Sequence, residues 1–133
     1  MKTIKMKNGL WYFAHPYTAR DNDGNYVWEA EEANFKLANY RAGQLLLAGY
    51  NIYSPITHTH AIHKATVEFL RSHEHKLWYE LDFAFIKHAN FTGIILAPGW
   101  QRSKGCVEEY LDFRRIGKII LFYDSIIHPE SHD

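Results

Sequence analysis

Cysteine is almost absent. Cys106 is the single one in 133 residues, so no internal disulfide framework can form and no paired-thiol metal site exists. That count suits a reducing compartment, and a cytoplasmic protein is expected. Charge of one sign is lacking too: fifteen Lys and Arg balance fifteen Asp and Glu. The balance argues against bulk capture of a nucleic acid polymer or an anionic membrane. Long hydrophobic runs are missing, because the longest apolar stretches, residues 94–97 and 119–123, are strand-sized and too short to span a bilayer. The lysines of residues 1–8 are not followed by an apolar run of leader length, so no targeting segment is expected. No repeat, low-complexity tract or linker interrupts the chain, and residues 1–133 read as a single domain.

What is abundant is aromatic. Phe, Tyr and Trp make up 16% of the residues, enough to fill a core, a stacking pocket or an interface. Hydrophobic residues at 47% and charged residues at 23% are those of a globular chain rather than a disordered one.

Proline is scarce, and three of the four directly follow or nearly follow an apolar run. Residues 10–14 stop at His15-Pro16, residues 50–53 at Ser54-Pro55, and residues 91–97 at Pro98-Gly99. Each run reads as a buried strand opening into a loop, with a fourth strand at residues 119–123. Asp21-Asn22-Asp23-Gly24-Asn25 is turn chemistry. Residues 26–48 favour helix and end at Gly49; Ala30, Ala33, Leu37, Tyr40 and Gln44 keep helical spacing, with Glu29, Glu31 and Glu32 early. Leu77, Leu81, Ala84, Phe85 and His88 give a second helical stripe. Val107, Tyr110, Leu111 and Arg114 give a third, which stops near Gly117. Residues 57–74 have no clean period and read as loop plus a short helix, and the tail after residue 123 is expected to fray. This alternation predicts an α/β chain: a Rossmann/flavodoxin-like three-layer sandwich on a mostly parallel sheet of four to five strands. Ligands of such sheets bind beyond the carboxyl ends of the strands. That brings residues 15–20, 54–60 and 98–109 to one site.

The loop Pro98-Gly99-Trp100-Gln101-Arg102-Ser103-Lys104-Gly105 joins a strand to a helix N-terminus, where free N–H groups and the dipole favour an anion. Ser103 adds a hydroxyl, Gly105 lets the backbone approach closely, and Arg102 and Lys104 add positive charge. A plain helix cap with solvated basic residues would look the same, and the terminal Gly-Lys-Ser/Thr of a P-loop is absent. Glu108 and Glu109 suit the dipole with or without a catalytic role. Asp82 borders its helix's apolar stripe, and enclosure among aromatics would raise its pKa. One carboxylate to attack and another to hold or pass a proton is the pairing that glycosidic-bond chemistry uses. Nine histidines invite a metal reading, at His58, His60 and His63 or at His73 and His75. Their spacings of 2, 3 and 2 do not supply three or four converging ligands, so no metal is expected.

Taken in order, four pieces carry a likeness: Tyr12-Phe13-Ala14-His15-Pro16-Tyr17-Thr18, Tyr53-Ser54-Pro55-Ile56, Asp82 eight residues before Asn90, and Gly99-Trp100-x-x-Ser103-x-Gly105-x-x-x-Glu109. Together they resemble the nucleoside 2-deoxyribosyltransferase superfamily, closest to a small bacterial and phage branch. That superfamily also contains the 2′-deoxynucleoside 5′-phosphate N-hydrolases. The likeness spans residues 11–123, and Ser-x-Gly-x-x-x-Glu is its most specific element. Carried over by position, Glu109 resembles the nucleophile that attacks C1′ of the deoxyribose. Asp82 resembles the aspartate that orients the sugar or handles the proton near the departing base. Tyr17 falls where the first loop lines the base and sugar pocket, and Ser103 resembles the 5′-phosphate contact. His15, Pro16, Arg20, Ser54, Pro55, His58, Gly99, Trp100 and Gly105 complete the candidate substrate contacts.

The resemblance implies cleavage or transfer at the N-glycosidic bond of a 2′-deoxynucleoside or its 5′-monophosphate. It implies no cofactor, and a homodimer or larger homo-oligomer that completes a shallow pocket. The alternative is a non-catalytic module of the same fold that binds or senses a nucleotide; a plain interaction domain is the third reading. The presence of both Glu109 and Asp82 favours the enzyme.

Overall fold

The computed structural model describes residues 6–69 and 75–131. Within them four short strands form one sheet: β1 (Trp11–Ala14), β2 (Ile52–Tyr53), β3 (Gly93–Leu96) and β4 (Ile119–Phe122). The order is β2-β1-β3-β4, and every neighbouring pair is parallel. β1 and β3 lie in the middle and are buried at each position, which is why both are unbroken apolar runs. Alternate side chains face opposite sides of the sheet. Tyr12 and Ala14 join Ile94, Leu96 and Phe91 in one core, while Trp11 and Phe13 join Ile95 and Tyr50 in the other.

Five helices surround the sheet among the described residues: α1 (Trp28–Leu47), α2 (Pro55–Phe69), α3 (His75–His88), α4 (Lys104–Arg115) and α5 (Tyr123–Ile127). Ile86 of α3 with Cys106 and Phe113 of α4 closes the first core, and Leu45 of α1 with Tyr123 of α5 closes the second. The chain is thus an α/β, Rossmann/flavodoxin-like three-layer fold on a four-stranded parallel sheet. No described helix is long and apolar enough to cross a membrane.

Three stretches differ from the sequence expectation. Residues 57–69, the described part of the stretch 57–74 read as loop plus a short helix, all belong to the fifteen-residue α2, and residues 70–74 lie outside the described residues. Pro55 starts α2 with a pre-set φ. Its inner face is Ile56, Thr59, His60, His63 and Val67, all buried or half-buried at helical spacing. Counting histidine as polar hides that face, because His60 stacks on Trp28 and Phe35 like any aromatic. The tail after β4 does not fray at once: α5 follows directly, with Tyr123 buried against Phe13. On α1, the stripe of Ala33, Leu37 and Tyr40 points outward, Tyr40 being 66% exposed, and the buried positions are Glu31, Ala38 and Leu45. Residues 1–5 of the stretch read for a leader, His73, and residues 132–133 lie outside the described residues.

Gly93 marks the tightest point of the sheet. A Cβ there would lie 2.2 Å from the Ile119 carbonyl oxygen and 2.8 Å from the Trp11 ring. The Ile119 carbonyl cannot retreat without opening the β3–β4 ladder. Gly93→Ala is therefore expected to cost about 1–3 kcal/mol or more, read as a lowered melting temperature. An unchanged melt would mean the sheet yields there.

From β1 the chain moves outward one way to β2 and the other way to β3 and β4, so the order reverses between β1 and β3. Beyond the carboxyl ends of those two strands a crevice opens.

Candidate active site

A cavity of about 520 Å³ occupies that crevice, a size that suits a small organic ligand. The end of β1 and its following loop form one wall, the first turns of α2 and the middle of α3 another, and the N-terminus of α4 the third. Glu109, Asp82, Tyr17, His15, Arg20, Pro55, Ser103 and Gly105 all line it. Pro16, Gly99 and Trp100 do not. Gly99, at φ 84°, supplies a left-handed turn before the short 3-10 turn Trp100–Arg102. Trp100 packs its ring on Tyr110 and Phe122 at 4.9 and 6.4 Å, away from the cavity. Ser54 and His58 border a separate, shallower depression of about 360 Å³ beside β2. There His58 Nδ1 lies 3.2 Å from the Tyr53 hydroxyl.

The carboxylates sit on the side of the sheet that α3 and α4 cover. Tyr12, buried in β1, donates its hydroxyl to Oε2 of Glu109 on α4. Burial, followed by the charge of Asp82, lifts the Glu109 carboxyl well above the usual carboxylate range, against the opposing effect of the Tyr12 bond. Burial lifts Asp82 of α3 to about 7. Asp82 Oδ1 is buried and has no hydrogen-bond partner among the described residues, an arrangement that costs about 1–3 kcal/mol unless a ligand supplies a donor. Burial, then the Glu109 and Asp82 charges, raises the Tyr12 phenol well above its ordinary value, so Tyr12 remains a donor. Glu108 also borders the cavity, but the Tyr12 hydroxyl goes to Glu109 alone.

The N-terminus of α4 offers the anion-binding chemistry. Ser103 is the N-cap, its Oγ accepting the Cys106 N–H at 3.3 Å. A Cβ on Gly105 would meet nothing within 4 Å, which leaves backbone open to a ligand. Cys106, next to it, is a thiol and not a thiolate, because burial pushes its pKa up to about 12.

His15 borders the cavity with both ring nitrogens engaged. Its Nδ1 donates to the Pro16 carbonyl at 2.8 Å, and its Nε2 accepts from Arg41 at 3.0 Å. Burial lowers its pKa, so the ring is a neutral strut for the loop. Arg20 donates to the Gly24 carbonyl and to the Tyr26 hydroxyl at 3.1 and 2.7 Å, closing the turn at residues 21–25. Among the described residues no group of three or more His, Cys, Asp and Glu side chains is arranged to hold a metal ion.

The sequence assigns no role to Tyr12 or to Trp78, Tyr79 and Phe83 of the aromatic wall, and weighs His63 beside them only as a metal ligand. Tyr12 opens the first motif of the likeness, but in the sequence it carries no role beyond a buried strand position.

The family model described as Domain of unknown function (DUF1937) matches residues 9–125 of the 133, nearly the whole chain. No curated protein matches the sequence.

Proposed function

We propose that this chain, which belongs to the DUF1937 family, cleaves or transfers at the N-glycosidic bond of a 2′-deoxynucleoside or its 5′-monophosphate. One observation carries the reading: Glu109, held by the Tyr12 hydroxyl, lines the same cavity as Asp82, whose carboxyl burial lifts to about 7. The order of motifs resembling the nucleoside 2-deoxyribosyltransferases supports it.

The chemistry follows from the pair. Two close buried carboxyls share one proton more readily than they both ionise. Burial favours the proton on Glu109 while the cavity is empty; once a bound substrate moves it to Asp82, Glu109 loses its repulsive neighbour, keeps the Tyr12 bond and is free to ionise. A Glu109 oxygen then attacks C1′, the C1′–N bond breaks, and its electron pair leaves with the base. Asp82 gives its proton to the departing base. Water, or an N–H nitrogen of a second base, then attacks C1′ of the ester, gives its proton to the Asp82 carboxylate and returns the Glu109 carboxylate. Ser103 and the free N–H groups of α4, flanked by Arg102 and Lys104, receive a 5′-phosphate where the substrate has one. The aromatic side chains of the opposite wall stack on the base.

A second reading has an observation of its own. The raised Glu109 carboxyl holds its proton while the cavity is empty, and a protonated glutamate is no nucleophile. On that ground the chain would be a nucleotide-binding module without turnover. Incubation with a panel of deoxynucleosides and deoxynucleotides, followed by chromatography for free base, separates the two. Release of base from any member supports the enzyme; binding without release from all of them supports the module.

Assembly belongs to the same proposal. Leu37, Tyr40 and Leu47 put an apolar, aromatic stripe on the outer face of α1, Leu47 being 68% exposed. A homodimer or larger assembly would cover such a stripe. Light scattering is expected to give a particle of at least twice the 15.6 kDa chain. A 15.6 kDa particle at high concentration would count against it.

A further inference from the structure

The outer face of α1 keeps a period of its own. Glu29, Ala33, Lys36, Tyr40, Gly43 and Leu47 stand four, three, four, three and four residues apart. That alternation holds one stripe of a helix against a second helix. All but Gly43 are exposed, Tyr40 at 66% and Leu47 at 68%.

Gly43 breaks the stripe where a single chain gives no reason for it. It lies inside α1, and a Cβ there would meet nothing within 4 Å. Glycine is the poorest ordinary residue for a helix interior after proline, so it is a cost without a local return. What the missing side chain does is leave a hole. Gly43 borders the depression of about 360 Å³ beside β2, together with Asn39, Leu46 and Ile52. Tyr40 projects one turn away on the same helix, a knob beside a hole.

We propose that α1 is a homodimer interface, in which two copies pack antiparallel about a two-fold axis and the Tyr40 ring of each enters the depression at Gly43 of the partner subunit. That a second copy is the occupant rests on the assembly proposed above; the geometry goes beyond it. Antiparallel helices with this period meet in layers that pair one stripe position with the other. Setting Tyr40 level with Gly43 sets Lys36 level with Leu47, and the two-fold axis repeats both layers. The first layer puts a large side chain against an absent one. The second adds charge complementarity. α1 has no basic residue in its own last turn, where the helix dipole favours a cation. The incoming Lys36 lays its stem on Leu47 and brings its ammonium to that end. A foreign helix could fill the hole, but it would leave Tyr40 in water; a second copy covers the knob and the hole at once.

Sedimentation equilibrium over a range of concentrations gives the dissociation constant of the dimer. Tyr40→Ser and Gly43→Gln, one removing the knob and the other filling the hole, are each expected to raise it at least about tenfold. Leu77→Ser removes a leucine of α3 that is 53% exposed, and should leave it within about twofold. In the Tyr40→Ser background, adding Gly43→Gln should raise the melting temperature, because a helix former replaces glycine with open space around it. A lower melt would mean that Gly43 serves the single chain and would overturn the proposal. So would a dimer that either α1 variant leaves intact, or one that Leu77→Ser weakens as much, although the assembly itself would stand. A parent that stays monomeric at every concentration would sink the assembly and this interface together.

Discussion

Glu109→Ala is expected to lower base release by ~10³-fold or more, whereas Glu108→Ala keeps most of it. The two residues are adjacent on α4 and both border the cavity, so crude electrostatics at the site changes equally in either variant. What differs is the direction each side chain takes, about 100° apart on a helix, and the partner it meets. Only Glu109 receives the Tyr12 hydroxyl and feels the Asp82 charge through buried surroundings. Of the two, only Glu109 is held by that bond where it can form the glycosyl ester with C1′. If both acids merely complement the α4 dipole, the two variants should match, each costing a few tenths to about 1 kcal/mol of stability. Both are to be compared as folded protein beside an active parent, by chromatography of released base. Equal residual activity would refute the nucleophile and leave the binding module.

The parts of this arrangement that follow from local chemistry were legible in the sequence. Unbroken apolar runs at β1 and β3 announce central strands of a parallel sheet, and the prolines at 16 and 98 mark where those two runs turn into loops, whereas Pro55 after β2 opens α2 directly. The Ser103 cap and the start of α4 follow from residue type and spacing. What stayed hidden depends on pairing across distance. Tyr12 and Glu109 are 97 positions apart, and nothing local in either distinguishes a buried donor–acceptor pair from core and cap. The α1 stripe shows the same limit: its period reveals a helix, but which side meets the sheet depends on where Leu45 and Ala38 land. His60 misleads most, since an imidazole between two aromatic rings packs as hydrocarbon while its nitrogens hold a tyrosine and a carboxylate.

Asp82→Asn is expected to stabilise the protein at alkaline pH while removing most of its activity. The carboxyl of Asp82 titrates at about 7 in the folded chain against 3.8 for the free side chain. The native state thus holds a proton that the unfolded state has released throughout that window. Stability must then fall as pH rises from about 4 through 7, by at most about 4 kcal/mol from this group, less where water in the cavity screens the charge. Asparagine is neutral at every pH and nearly the same shape. The variant should therefore melt higher than its parent at about pH 8 and differ least near pH 4. Some of the slope will remain, because Glu109 is raised in the same direction. Asparagine also has no proton to pass to the departing base, and loss of a general acid lowers turnover by roughly 10²–10⁴-fold. The same step predicts that parent activity declines above about pH 7, as Asp82 ionises and its charge presses on Glu109. Thermal melts of both proteins across pH, set beside the base-release assay, read all of this together. A variant that melts below its parent at alkaline pH would mean that the Asp82 carboxylate has a partner worth keeping, and that its role is to hold the fold.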